Sequence, residues 1–177
     1  ADDLGYTDIS PFGGEINTPN LENLAAKGIK LTNFHVAQTC APTRAMLLSG
    51  TDNHIAGVGS MFRSNFYSGI ENKIGYENHL HERVLPLPQL LLDNGYHTYM
   101  SGKWHLGTEN ENSLPSDRGF EKSLVLVSGA GDHHELLGAQ YAENGVRLTE
   151  DIKENFFSTD YHTDKIIEYI DSNHGDN

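Results

Sequence analysis

The stretch LPLPQLLLDNGYHTYMSGKWHLG, residues 85–107, combines one predicted helix with one predicted strand. A proline in the first turn and a run of leucines predict a helix over residues 87–94, and Gly95 ends it. Residues 96–102 predict a strand, which ends just before Lys103. A helix followed at once by a strand indicates an α/β protein, in which helices cover a mostly parallel sheet.

The rest of the chain shows the same alternation of helices and strands. The further predicted helices are one between Thr18 and Gly28, one over residues 42–49, and a C-terminal helix capped by Ser158 or Thr159 with Ile166, Ile167 and Ile170 on its apolar side. The further predicted strands are residues 29–36 and 123–128, whereas residues 60–82 and 129–154 have no clear periodicity. We therefore expect an α/β fold with a mostly parallel sheet flanked by helices.

Composition excludes several classes of protein. The 177 residues carry a net charge of −13, which argues against general nucleic-acid binding and suits the binding of a hard cation. No run of about 18 apolar residues is present, so we predict no membrane span. The single cysteine, Cys40, excludes an internal disulfide and a cysteine-based zinc site, but does not fix the compartment.

Cys40 lies in the stretch TCAPTRAMLLSG, residues 39–50. Because proline is tolerated only near the start of a helix, Pro42 places Cys40 at or just before a helix N-terminus, which favours anions. Arg44 follows one turn later on the same face, and its planar fork matches a tetrahedral oxyanion. The pattern predicts an anion site with a reactive side chain. The alternatives are a small buried apolar residue and a thiol nucleophile of low pKa.

Other polar residues are predicted at the carboxyl ends of strands, where α/β proteins place their chemistry. Lys103 and His105 are two apart on an extended segment, so they point to one side, and Trp104 points into the packing. Asp2 and Asp3 are hard oxygen donors suited to Ca²⁺ or Mg²⁺. They would follow a further strand if one preceded residue 1. Without other motifs, an Asp-Asp pair is more typical of a solvated turn.

Three motifs in order give the chain a family resemblance. They are CAPTR with its closing LLSG (residues 40–50), GYHTYMSGKWHLG (95–107) and ADDLG (1–5). Together they resemble the formylglycine-dependent type I sulfatases of the alkaline phosphatase superfamily. Stretches such as GTDNHIAGVGSM (50–61) and HLHERVLPLPQLL (79–91) are most similar to bacterial arylsulfatases. The resemblance implies an alkaline phosphatase/sulfatase-like fold.

The resemblance also implies a mechanism and a site. A maturation enzyme oxidises Cys40 to formylglycine. One hydroxyl of the hydrated aldehyde attacks the sulfur of a small-molecule sulfate ester, and deprotonation of the other expels sulfate. Lys103 contacts sulfate, His105 bonds the nucleophile or sulfate, and Arg44 belongs to the same motif as the nucleophile. Asp2, Asp3 and residue 40 bind Ca²⁺, with Mg²⁺ as the alternative.

The chain departs from the family pattern in length. Sulfatases are far longer, and their second pair of metal ligands and further sulfate-binding residues come from later in the chain. We expect residues 1–177 to be the N-terminal part of a sulfatase catalytic domain, truncated at both ends and with little or no activity alone. Two other functions stay open: a phosphonate or phosphate monoester hydrolase of the same superfamily, and a non-catalytic binding protein with unmodified Cys40. The natural substrate and the compartment are not indicated.

Overall fold

A computed structural model describes residues 2–61, 69–70 and 73–173. Its helices are α1 (Pro19–Lys27), α2 (Cys40–Ser49), α3 (Leu87–Asp93) and α4 (Ser158–Asp171), and its strands are β1 (Tyr99–Lys103), β2 (Lys122–Leu126), β3 (Tyr141–Glu143) and β4 (Val146–Arg147). Short 3-10 helices lie at Ser10–Phe12, Glu109–Glu111, Pro115–Arg118 and Gly138–Gln140. Among these residues, no helix is long and apolar enough to span a membrane.

The four strands form one sheet in the order β1-β2-β3-β4. Strands β1 and β2 run parallel, with Tyr99 opposite Lys122 and Lys103 opposite Leu126. Strands β2 and β3, and then β3 and β4, are antiparallel. Helix α4 packs against β1 and β2. The α/β class is therefore confirmed, and the sheet is mixed: in the part of the chain that the structure describes, one of its three pairings is parallel.

All four predicted helices are present, with small shifts at their ends. Helix α2 begins at Cys40, two residues before the predicted start, because Pro42 fits within the first turn, where its missing N–H leaves no helical hydrogen bond unmade. Helix α4 buries Ser158 and Tyr169. Its predicted apolar side is wrong in part, since Ile167 and Ile170 are about half exposed.

The antiparallel hairpin of β3 and β4 was not predicted, because residues 129–154 were expected to be irregular. Its turn is Asn144-Gly145, where both residues have positive φ, 49° and 85°. Two positive φ values at the centre of a two-residue loop define a type I′ turn, for which Asn-Gly is the preferred sequence. The Asn-Gly pair between Glu143 and Val146 was therefore a usable signal.

The predicted strand over residues 29–36 is wrong. This segment has no helix or strand, and its apolar side chains are exposed, Ile29 by 87% and Phe34 by 66%. A strand needs a paired neighbour for its backbone groups and a surface for its apolar face. The described residues supply neither for this segment.

The main core lies where α2 meets the ends of β1 and β2. Ala41 and Ala45 of α2 pack with Trp104, Val125 and Val127. Trp104 is fully buried, donates its indole N–H to the Ser113 carbonyl at 2.6 Å, and packs edge-to-face on Phe120. A second cluster, of Leu126, Leu136, Tyr141 and Phe156, lies under the β3 end. The main core therefore fixes the start of α2 against the end of β1.

Candidate active site

Helix α2 presents Cys40 in its first turn, with the side chain partly exposed. The preceding residue, Thr39, is extended, and the next two residues, Ala41 and Pro42, are buried. The Thr43 hydroxyl donates to the Thr39 carbonyl at 2.9 Å. Cys40 is therefore an accessible side chain on a helix end that the core holds in place.

His105 reaches Cys40 from the end of β1. Its Nδ1 lies 3.4 Å from Cys40 Sγ. The backbone N–H of Trp104 donates to Leu126 at 2.8 Å and that of His105 to Val127 at 3.1 Å, so β1 and β2 stay bonded past the end of β1. The predicted extended geometry ends before His105, whose φ is +56°. This left-handed backbone conformation turns the imidazole toward the start of α2.

Lys103 joins the same place from the last position of β1. Its Nζ donates to Asp2 Oδ2 at 2.7 Å, with the lysine side chain 14% exposed and the aspartate 54%. Burial alone would lower the pKa of Lys103. Hydrogen bonding and negative charge from Asp2 and Cys40 outweigh it, so the pKa of Lys103 is raised above 10.5. The ammonium group is therefore charged across the neutral range.

Arg44 holds the backbone of this segment. Its Nε donates to the Trp104 carbonyl at 2.7 Å, and its Nη2 donates to the Lys103 carbonyl. Burial lowers the pKa of Arg44, while negative charge from Asp2 and Cys40 opposes the shift. The fork thus spans two successive carbonyls rather than facing open space. The expected oxyanion contact is replaced, for these two donors, by a brace between α2 and the end of β1.

The surroundings of His105 favour the neutral form of its imidazole. Burial lowers its pKa below 6.5, and the positive charges of Lys103 and Arg44 lower it further, against a smaller opposite effect of Asp2. A neutral imidazole has one nitrogen free to accept a proton. The site therefore combines an imidazole that favours its neutral form, a cation and a partly exposed side chain at a helix N-terminus.

Comparison with known proteins identifies the family. The family model described as Sulfatase matches residues 1–177. The chain belongs to the sulfatase family. It is 46% identical over 184 residues to an uncharacterized sulfatase of Schizosaccharomyces pombe, covering 96% of this chain and 33% of that protein. It is 36% identical over 179 residues to an arylsulfatase of Klebsiella aerogenes, covering 96% and 37%.

The fold of the sulfatases agrees as well. The crystal structure of a putative sulfatase of Bacteroides fragilis matches with a TM-score of 0.70 and 24% identity, over 97% of this chain and 38% of that one. The crystal structure of Ps i-CgsB matches with a TM-score of 0.75 and 25% identity, over 97% of this chain and 40% of that one. The family resemblance and the sulfatase-like fold are thus confirmed. The chain spans about a third of the length of these two curated sulfatases.

The sulfatase resemblance implies a metal ion bound by Asp2 and Asp3. Their carboxylates are the right kind of ligand for it, but two of them are too few. Both carboxylates are exposed, and Asp2 lies on Lys103 beside the Cys40 site. Calcium takes about 6–8 oxygen ligands. Within residues 2–61, 69–70 and 73–173, no three His, Cys, Asp or Glu side chains converge on one point. Two carboxylates are fewer ligands than such a coordination shell needs.

The other histidines of this sulfatase chain have contacts of their own. His54 Nδ1 lies 3.1 Å from Asp52 and its Nε2 lies 3.2 Å from the Tyr76 hydroxyl. His133 Nδ1 lies 2.6 Å from the Ser158 hydroxyl. The Arg118 guanidinium donates to the His81 and Val84 carbonyls. None of these contacts involves Cys40.

Proposed function

We propose that this chain carries the nucleophile of an arylsulfatase-like sulfuric ester hydrolase. The proposal is supported by one observation above the rest: Cys40, His105 and Lys103 meet at the N-terminus of α2. The cysteine alone would be a common buried thiol, and the lysine and histidine alone would be common exposed residues. Their contact, in a chain of the sulfatase family, favours one catalytic site.

Formylglycine at position 40, made by a maturation enzyme, supplies when hydrated the hydroxyl group that attacks sulfur. An unmodified thiol could not complete the reaction in this way, because its sulfated intermediate would need water to attack the sulfuryl sulfur a second time. His105 Nδ1, at 3.4 Å from the Cys40 sulfur, is placed to hold or accept a proton from an oxygen on residue 40. Its lowered pKa keeps it neutral for this task.

Lys103 binds the sulfuryl group of the ester through its charged Nζ. Backbone N–H groups at the start of α2 add positive potential at the same point. Charge that grows on the sulfuryl oxygens in the transition state is thereby stabilised by groups that need no rearrangement. Arg44 keeps Lys103 and His105 in register with Cys40 through their backbone.

Asp2 and Asp3, with the oxygen on residue 40, would hold part of the shell of a Ca²⁺ ion, or of Mg²⁺, whose charge lowers the pKa of a bound hydroxyl. Two protein carboxylates bind such an ion weakly. We therefore expect little or no hydrolysis by the 177-residue chain alone and robust hydrolysis by the full-length protein.

Two measurements on the full-length protein from its own host test this function. Mass spectrometry of the Cys40 peptide is expected to show loss of sulfur and gain of a carbonyl. Hydrolysis rates of a sulfate and a phosphate ester with the same leaving group are expected to favour sulfate. A preference for phosphate would instead favour the phosphonate or phosphate hydrolase. An intact thiol with no hydrolysis would favour the binding protein.

A further inference from the structure

Gly129 lies against the ring of His105. It belongs to the segment SGAG, residues 128–131, which follows β2. A Cβ atom built on Gly129 would lie 2.5 Å from His105 Cε1, 2.7 Å from Nε2 and 2.9 Å from Nδ1. Because these three distances are similar, the added atom would sit over the face of the ring rather than beyond its edge. The glycine backbone therefore packs on the imidazole face between its two nitrogens.

The backbone of Gly129 does not itself require glycine. Its φ lies outside the left-handed range that is occupied by glycines such as Gly119 and Gly145. The steric penalty that a left-handed φ places on a side chain therefore does not apply at position 129. The obstacle to a side chain is the imidazole, since each of the three nearest atoms belongs to it.

The imidazole is held at its Nδ1 edge and through its backbone. Its Nδ1 faces Cys40 Sγ, and the His105 backbone is held by its hydrogen bond to Val127. The preceding carbonyl, of Trp104, accepts from Arg44. Carbon atoms prefer a separation of about 3.5–4.0 Å, so a methyl group at position 129 requires the ring and the Gly129 backbone to move apart by ~1 Å. Displacement by that distance takes Nδ1 out of its place beside residue 40.

We propose that Gly129 is a positioning residue that fixes the His105 imidazole against residue 40. The proposal rests on the proposed function of His105 in sulfate ester hydrolysis. Gly129 touches the histidine and acts through it. The glycine supplies a flat backbone surface that sets the distance and tilt of the ring, and any side chain there would misplace the proton acceptor.

The test is a mutant cycle in the full-length protein, produced in a host that matures Cys40. The variants are Gly129→Ala, His105→Ala, the double variant, and Gly131→Ala as the matched control. The control adds the same methyl two residues away, where it meets the ends of the Leu126 side chain at 3.0 and 3.1 Å. Each protein is assayed for kcat and KM on one aryl sulfate and for its unfolding temperature.

We expect Gly129→Ala to lower kcat by ~100-fold, the usual effect of misplacing a catalytic group by 1 Å, with KM little changed. We expect Gly131→Ala to stay within about twofold of wild type, as is usual for a substitution that touches no reacting group. In the His105→Ala background the ring is gone, so Gly129→Ala should cost no further activity.

Full kcat in Gly129→Ala would overturn the proposal, as would the same loss of kcat from Gly129→Ala with and without His105. Unfolding temperatures separate this failure from failure of the proposed function. If wild type hydrolyses no sulfate ester, the function is wrong, yet Gly129→Ala should still lower the unfolding temperature only when His105 is present. Equal lowering in both backgrounds, or failure of the double variant to fold, would also overturn the packing argument.

Discussion

The two halves of the candidate site differ in how they are held. The half formed by α2 and the ends of β1 and β2 is fixed by buried Ala41, Ala45 and Trp104. The half that carries Asp2 and Asp3 belongs to residues 2–36, in which α1 has no buried residue and Ile29 and Phe34 are exposed. Its link to the site is the exposed carboxylate of Asp2 on Lys103. In this chain Cys40 is therefore positioned by the core, whereas Asp2 meets the candidate site through one ion pair among the described residues.

Removing the nucleophile should give the largest effect and leave the core intact. We expect Cys40→Ala to lower kcat/KM of the full-length protein by ~10⁴-fold or more, as is usual when a catalytic nucleophile is lost. The unfolding temperature should not change, since the Cys40 side chain is partly exposed. Ser49→Ala, at the other end of α2, is the control. Activity that survives Cys40→Ala would remove residue 40 from the mechanism.

Substitutions in the two halves should differ in how much they lower the free energy of unfolding. Trp104→Ala removes a fully buried ring and its hydrogen bond to Ser113, so we expect a loss of ~3–5 kcal/mol in the free energy of unfolding. Phe34→Ala in the 177-residue chain should change it by about 0.5 kcal/mol or less, because Phe34 is exposed. Denaturant unfolding measures both, and equal losses would show that the first 36 residues are packed as tightly as the core.

The contact of Arg44 in α2 with the end of β1 can be weakened without removing the positive charge. Arg44→Lys keeps the cation but cannot span the carbonyls of Lys103 and Trp104 with a planar fork. We expect kcat to fall by roughly 10–100-fold, the range for losing a charged hydrogen bond of ~1.5–3 kcal/mol. Arg44→Ala is the companion variant. If Arg44→Lys is fully active and Arg44→Ala is not, charge alone explains the role of Arg44.

The acid limb of the pH profile should report the environment of His105. Burial and the charges of Lys103 and Arg44 depress its pKa, so the imidazole gains its proton at a lower pH than an ordinary histidine does. Activity should therefore fall as the pH drops through this depressed pKa. In Lys103→Met one positive charge is removed, so NMR titration of His105 should give a higher pKa. An unchanged titration would mean that the two side chains do not meet.

Loss of the ion pair between Asp2 and Lys103 should have the smallest effect on the free energy of unfolding. Asp2→Asn breaks an ion pair whose carboxylate is about half exposed, so we expect a loss of less than ~1 kcal/mol in the free energy of unfolding. Hydrolysis by the full-length protein should nevertheless require more added Ca²⁺, because a hard donor is lost. Glu22→Gln, on exposed α1, is the control. A stability loss like that of Trp104→Ala would contradict the view that this half is loosely held.

Local signals in the sequence were sufficient where structure is local. Proline and glycine marked the ends of the helices, and the burial of Trp104 followed from its place between Lys103 and His105. The same reasoning failed for residues 29–36, because alternation of apolar residues cannot say whether a partner strand exists. It also missed the β3–β4 hairpin, where the Asn144-Gly145 turn outweighed the lack of periodicity.

By itself the sequence determined the α/β class, the sulfatase family and the identity of the residues proposed for the chemistry. Only the tertiary structure decided what those residues touch: Arg44 on two carbonyls, His105 turned toward Cys40 by a positive φ, and Gly129 against its ring. The physical reason is distance along the chain. Residue 40 and residues 103–129 meet through packing of α2 on the sheet, and no local pattern encodes the angle at which two packed elements present their side chains.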